Sequence, residues 1–251
     1  MTSRWSIAGL HLAASMLVIL ALGAFLVKIL YPYGLFHLAR ADRLLILIGA
    51  INAAAGPLLT LIVFKQGKPG LKLDLTVIGF AQIALLSYGL SVVWQSRPVF
   101  LVALPERVVL VFANEIEADA LPSTGEMPRE RLPWFGPELV GTRMPEDPTA
   151  RHALYAQLAA GRDLPQFPQF YVPFEEVAFE LLAASDPVNA IGPHVPASIG
   201  IEARQALSPR FADTGRIVPI TSSRGIALMV IDKHSAHPLE AWTSASLSSK
   251  Q

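Results

Sequence analysis

Three uncharged apolar runs of about twenty residues each fall within the first hundred positions, and they restrict the fold more than any other feature of the chain. Ile7 to Val27, Leu44 to Phe64 and Leu75 to Trp94 carry no charge except a possible proton on His11. A helix rises about 1.5 Å per residue, so each run is long enough to cross a hydrocarbon layer roughly 30 Å thick. A buried soluble helix can imitate one such run, but three in succession, separated by short charged loops, read as a membrane bundle. The first run is also too long for a cleaved signal peptide, and the "YPYGLF" that follows it offers no small-residue cleavage site. The expected spans are about 7–28, 44–64 and 75–95. Tyr31, Tyr33 and Trp94 lie near their ends, where amphipathic rings favour the interface.

The stretch "VFKQGKPGLKLDL" (Val63–Leu75) packs Lys65, Lys68 and Lys72 into the gap between the second and third runs. Cytoplasmic loops are enriched in Lys and Arg. With three spans, this loop shares a side with Arg4 and the terminal amine. The opposite side holds Lys28, Arg40, Arg43 and Arg97. The lysine density tips the balance toward a cytoplasmic N-terminus, with everything after Arg97 outside the cytoplasm.

Within the second run lies a group of small residues, Gly49, Ala50, Ala53, Ala54, Ala55 and Gly56. Small residues four apart let helix backbones approach closely in lipid. Asn52 in this run and Gln82 in the next each require a hydrogen-bond partner, because an unsatisfied amide in hydrocarbon is costly. Pro57 is expected to kink the second helix.

After Arg97 the texture changes, giving a division into a transmembrane region, 1–96, and an α+β domain, 97–251. Val99–Leu104 and Arg107–Ile116 read as a β-hairpin around "PER". Residues 118–148 are rich in Pro and Gly and read as loop, with Trp134 and Phe135 expected to be buried. Asp147 followed by Pro148 reads as a helix start, with the helix ending at Gly161. A second helix is expected over 173–185 and a third in "ASIGIEARQALS". "GRIVPITSSRGIALMVIDK" reads as two strands joined at "SSRG", and "LEAWT" as an edge strand. The fold class is therefore membrane α-helical, three transmembrane helices followed by a small α+β extracytoplasmic domain.

Chemistry is sparse. The 251 residues include no cysteine, which excludes disulfides, thiol catalysis and thiolate metal sites. Equal numbers of acidic and basic residues, 20 each, argue against nucleic acid as a partner. "IDKHSAHP", with Asp232, His234, Ser235 and His237, is the best catalytic or metal candidate, but His-x-x-His has low specificity and no second ligand cluster completes it. No phosphate loop, nucleophile elbow or paired His on a helix is present. The expectation is a non-enzymatic protein without a cofactor.

The segments "YPYGLFHLARADRLL" (Tyr31–Leu45), "GPLLTLIVFKQGKPGLKLDLTVI" (Gly56–Ile78) and "SRPVFLV" (Ser96–Val102) resemble the type IV pilin accessory proteins of Gram-negative bacteria. The likeness continues more faintly in "VVLVFANEIE" and "LYAQLAAGRDLP". The resemblance implies an inner-membrane, chaperone-like factor that assists a cognate pilin, whose hydrophobic N-terminal helix waits in the bilayer with its head outside the cytoplasm. On that reading the partners are lipid and a type IV pilin, with Gly49, Asn52, Ala53, Gly56, Arg40 and Arg43 as candidate pilin contacts. The competing expectation is a membrane-anchored sensor or ligand-binding protein, with Asp232 and His234 as its first suspects.

Overall fold

In a computed structural model, residues 4–65, 68–117, 132–189 and 205–243 are described. The chain forms two compact units. One comprises residues 1–28 and 41–96; the other comprises 29–40 and 97–251. The loop joining the first two long helices thus belongs to the second unit.

The helical unit contains α1 (Arg4–Leu30), α2 (Ala41–Val63) and α3 (Leu71–Gln95). By length and composition, all three are able to cross a membrane. α2 is assigned as one continuous helix through Pro57. Small residues sit where the helices meet. A Cβ placed on Gly49 would lie 3.1 Å from Ile19, and one on Gly89 would lie 2.7 Å from Ile48. α3 begins after Gly70, whose φ of +85° suits glycine. Lys68 pairs with Asp74 in its first turn at 2.6 Å.

Among the described residues, the second unit is built on an eight-stranded mixed sheet. β1 (Pro98–Ala103) and β2 (Val108–Phe112) form the expected antiparallel hairpin. Both are buried along their whole length, which explains their unbroken apolar sequences: central strands covered on both faces show no alternation. β3 (Glu138–Thr142) runs parallel to β1, and β4 (Tyr171–Val172) pairs antiparallel with β3. β6 (Gly215–Ser222) and β7 (Gly225–Asp232) form the second expected hairpin, turning at Ser223–Arg224. β8 (Pro238–Trp242) follows as the edge, and the short β5 (Asp186–Pro187) pairs with β6. The order is β4-β3-β1-β2-β6-β7-β8. Pro219 falls between the stretch of β6 paired with β5 and the stretch paired with β2, a place where a missing N–H is tolerated.

α4 (Pro148–Ala159) starts as the sequence indicates: Ala150 N donates to the Asp147 carboxylate at 2.7 Å, with Pro148 at the first helical position. α5 (Glu175–Ala184) places Glu175 and Glu176 in its first turn and buries Val177 and Leu181. Gly141 of β3 lies directly under Val177, where a Cβ would come within 2.6 Å of the valine methyl. Residues 205–211 are helical; the earlier part of the expected third helix lies outside the described residues. Two expectations for 118–148 are corrected. "ELVGT" is not loop but the parallel strand β3, whose partner β1 is distant in sequence. Trp134 and Phe135 are not buried; they are 64% and 72% exposed. Residues 118–131 lie outside the described residues.

Candidate functional site

One polar network joins the three long helices. His11 in α1 places Nδ1 2.8 Å from the Thr60 hydroxyl of α2 and Nε2 2.5 Å from Oε1 of Gln82 in α3. An amide oxygen only accepts, so Nε2 carries a proton; in the neutral ring Nδ1 then accepts from the Thr60 hydroxyl. The Gln82 amide nitrogen donates to the Asn52 carbonyl at 3.2 Å and to the Ser15 hydroxyl at 3.4 Å. Asn52 is buried and donates to Ile48 O one turn back. The amide partners anticipated for Asn52 and Gln82 are therefore found inside the bundle. In the sequence His11 stands out only as a titratable residue within the first run, because neither of its partners lies near it in the chain.

Beside this network lies a cleft of about 330 Å³, lined by His11, Ser15, Val18, Asn52, Gln82 and Ile83 among others. Its lining is mainly apolar, with polar groups contributed by His11, Ser15, Asn52 and Gln82. It has room for a large side chain or one turn's worth of side chains from another helix.

The small-residue candidates of α2 line the same interior. Gly49 faces Ile19, and a Cβ on Gly56 would overlap the Gln82 amide. Ala53 is half-buried, while Ala54 is exposed. Arg40 and Arg43 are both exposed, Arg40 with a left-handed φ of +50° just before α2 begins.

In the second unit, the 29–40 loop packs into the sheet. A Cβ on Gly34 (φ +75°) would lie 3.0 Å from Ala241 O of β8. Arg224, at the turn between β6 and β7, lies 3.7 Å over the Phe112 ring and donates to Ala39 O at 3.0 Å. Its guanidinium is pushed below its ordinary pKa by burial, with Tyr31 and Glu115 opposing. Tyr31 is buried within the sheet unit, and burial raises its phenol pKa against the neighbouring Arg224 charge. In the sequence Arg224 is legible only as a basic residue at a hairpin turn.

The Asp232 region has a structural role in the turn after β7. The Asp232 carboxylate accepts from the backbone N–H groups of Ser235 and His234, at 2.8 and 2.9 Å, and from the Ser235 hydroxyl at 3.0 Å. Those hydrogen bonds hold its pKa below the usual carboxylate value. It is the His234 backbone, not its ring, that meets Asp232. The His237 ring lies edge-on to Phe174, with centroids 5.1 Å apart. Among the described residues no three His, Asp or Glu side chains gather as a metal site requires. A second cavity of about 330 Å³ lies against α4, where Arg162 covers the Phe167 ring at 4.4 Å and pairs with Glu117 at 2.9 Å.

No protein-family model matches the chain, and no solved structure matches it. Curated proteins do. It is 26% identical over 231 residues to "Fimbrial assembly protein, serogroup E1" of Dichelobacter nodosus, covering 90% of this chain and 89% of that protein. The serogroup I protein of the same bacterium matches at the same identity and coverage. The protein of serogroups C1 and C2 is 29% identical over 119 residues, 46% of this chain and 90% of its own length. Over nine tenths of its length, then, the chain is similar to fimbrial assembly proteins, consistent with the type IV pilus accessory family that its membrane-half motifs resemble.

Proposed function

We propose that this protein is an inner-membrane pilus assembly factor that binds a cognate type IV pilin and promotes its stability or assembly, without catalysing a reaction. The observation that carries the reading is similarity to fimbrial assembly proteins across both the helical part and the sheet part. Three helices of crossing length supply contacts within the bilayer, and the sheet unit supplies a surface for the pilin head.

Loop packing supports the topology. Residues 29–40 and the chain from Arg97 onward form one unit, as a shared side of the membrane requires on this reading. Three spans deliver both segments to the same side. The lysines at 65, 68 and 72 then mark the other side as cytoplasmic. Pairing of Lys68 with Asp74 changes this little, because acidic residues weigh weakly in the bias. The sheet unit is therefore periplasmic on this reading. Two weak contacts on one scaffold bind far better than either alone, since the second is effectively intramolecular.

Because Gly49 and Gly56 are packed inside the bundle, the surface of α2 offered to a pilin helix is the exposed side with Leu47, Ile51 and Ala54. The test is in-membrane photocrosslinking in the native host, with a photoreactive residue at Leu47 and, separately, at Phe179 of α5, which is 80% exposed. Capture of a pilin at both positions is expected. A folded, abundant protein that captures no pilin at either would sink the proposal.

A further inference from the structure

We propose that Trp134 and Phe135 form a membrane-surface contact of the sheet unit, entering the interfacial lipid layer on the side where that unit lies. The proposal rests on the membrane-spanning reading above and adds a contact that the reading does not require.

Four observations within the sheet unit carry it. First, both rings are largely exposed, at 64% and 72%, and adjacent in sequence. Second, the segment is pinned on both flanks to residues adjoining the ends of the long helices. On one flank Pro133 O accepts from Arg97 Nε and Nη2 at 3.2 and 3.1 Å, and Arg97 lies two positions after the last residue of α3. On the other flank Gly136, with φ +66°, approaches Ile29 and Pro32 so closely that a Cβ would lie 3.2 Å from Ile29 O. Ile29 belongs to the last turn of α1. Third, Leu132 packs against the core cluster containing Val99 and Val140, which anchors the approach to the pair. Fourth, Tyr33, one residue beyond Pro32, is 41% exposed, and Arg40 on the same loop is exposed.

The chemistry selects a lipid surface. Residues 29–32 and 97 are where α1 ends and the chain leaves α3, so on the spanning reading the residues that pin Trp134 and Phe135 lie at the level of the membrane boundary. Trp and Tyr concentrate at this level in membrane proteins, because a flat ring with one polar edge suits the headgroup boundary. Pinning on both flanks presents the rings already in place, so little conformational freedom is lost on contact.

The chain has no cysteine, so a single introduced thiol can be labelled cleanly. The full-length protein is reconstituted into vesicles of phosphatidylcholine and phosphatidylglycerol, with a nitroxide at Phe135→Cys or, separately, at Trp134→Cys. Collision with oxygen is compared with collision with an aqueous nickel chelate. Labels at Phe179→Cys and at Phe80→Cys, the latter on α3 and 69% exposed, give the aqueous and lipid references. Both Trp134 and Phe135 positions are expected to favour oxygen, at the depth of about 5–10 Å reached by interfacial aromatic groups. If both are as aqueous as position 179 while position 80 lies in lipid, the proposal is overturned and the pair becomes a protein-contact patch. If position 80 is aqueous as well, the spanning reading fails and takes the proposal with it.

Discussion

Arg224, at the tip of the β6–β7 hairpin, donates to the carbonyl of Ala39 across 185 residues of sequence. This contact brings the loop between α1 and α2 into the sheet unit, together with the burial of Tyr31 and the approach of Gly34 to β8.

Replacing Arg224 with Ala removes this hydrogen bond and the guanidinium from above Phe112. With a half-buried cation–π contact and a charge-assisted bond lost together, the expected destabilisation of the sheet unit is about 2–3 kcal/mol. Arg224→Lys, which keeps the charge but not the planar donor, should lose less. Protease nicking between residues 29 and 40 reads the effect directly. Equal protection of this loop in wild type and R224A would show that other contacts hold it.

Glycine substitutions should separate cleanly by position. Gly34→Ala meets both a left-handed backbone and the Ala241 carbonyl at 3.0 Å, so a loss of roughly 1–3 kcal/mol is expected. Gly79→Ala, within α3 and with nothing inside 4 Å, should be neutral or slightly stabilising. Thermal unfolding of the two variants side by side tests the contrast.

Gln82→Leu deletes the side chain that joins His11, Ser15 and Asn52. Polar contacts between membrane helices average about 0.6 kcal/mol and reach about 1.7. A double-mutant cycle with His11→Ala, followed by unfolding in mixed detergent, should give a coupling in that range. Additive losses would mean that the two side chains do not act together.

Asp232 titrates below the ordinary carboxylate range because backbone N–H groups stabilise its charged form. A depressed folded pKa contributes stability above the unfolded value near 3.9, which is lost as pH falls through the folded value. The stability difference between wild type and Asp232→Asn should therefore shrink below about pH 4. Under the assembly-factor reading, D232N should also leave pilin assembly intact at neutral pH. Loss of function at normal protein abundance would instead favour the sensor or enzyme alternative.

The sequence was most informative where a local signal decided the structure. Runs of crossing length marked α1, α2 and α3; the Asp147–Pro148 pair marked the start of α4; apolar strands around a short turn marked both hairpins. It was silent where the partner lay far along the chain. "ELVGT" is short, contains a glycine and becomes a strand because β1 lies parallel beside it. Tyr31 resembles an interface aromatic until the loop folds against Arg224. Gly49 and Gly56 announced close helix packing, but not that α1 and the Gln82 amide would fill the space. Trp134 and Phe135 suggested burial by composition alone, yet both are exposed, on a segment whose flanks meet Arg97 and Ile29.

The inclusion of residues 29–40 in the sheet unit also sets a clock on synthesis. This loop emerges early, yet its contacts at Arg224 and Ala241 are made only when the far end of the sheet exists. At roughly 5–20 residues per second, the 185 residues between Ala39 and Arg224 take about 10–40 s to translate. Throughout that interval Tyr31, Leu35 and Leu38 have no core to enter. The finished unit thereby requires both the early loop and the last strands, so a chain halted before β8 is left with an unpaired β7 edge and with Gly34 lacking its neighbour at Ala241.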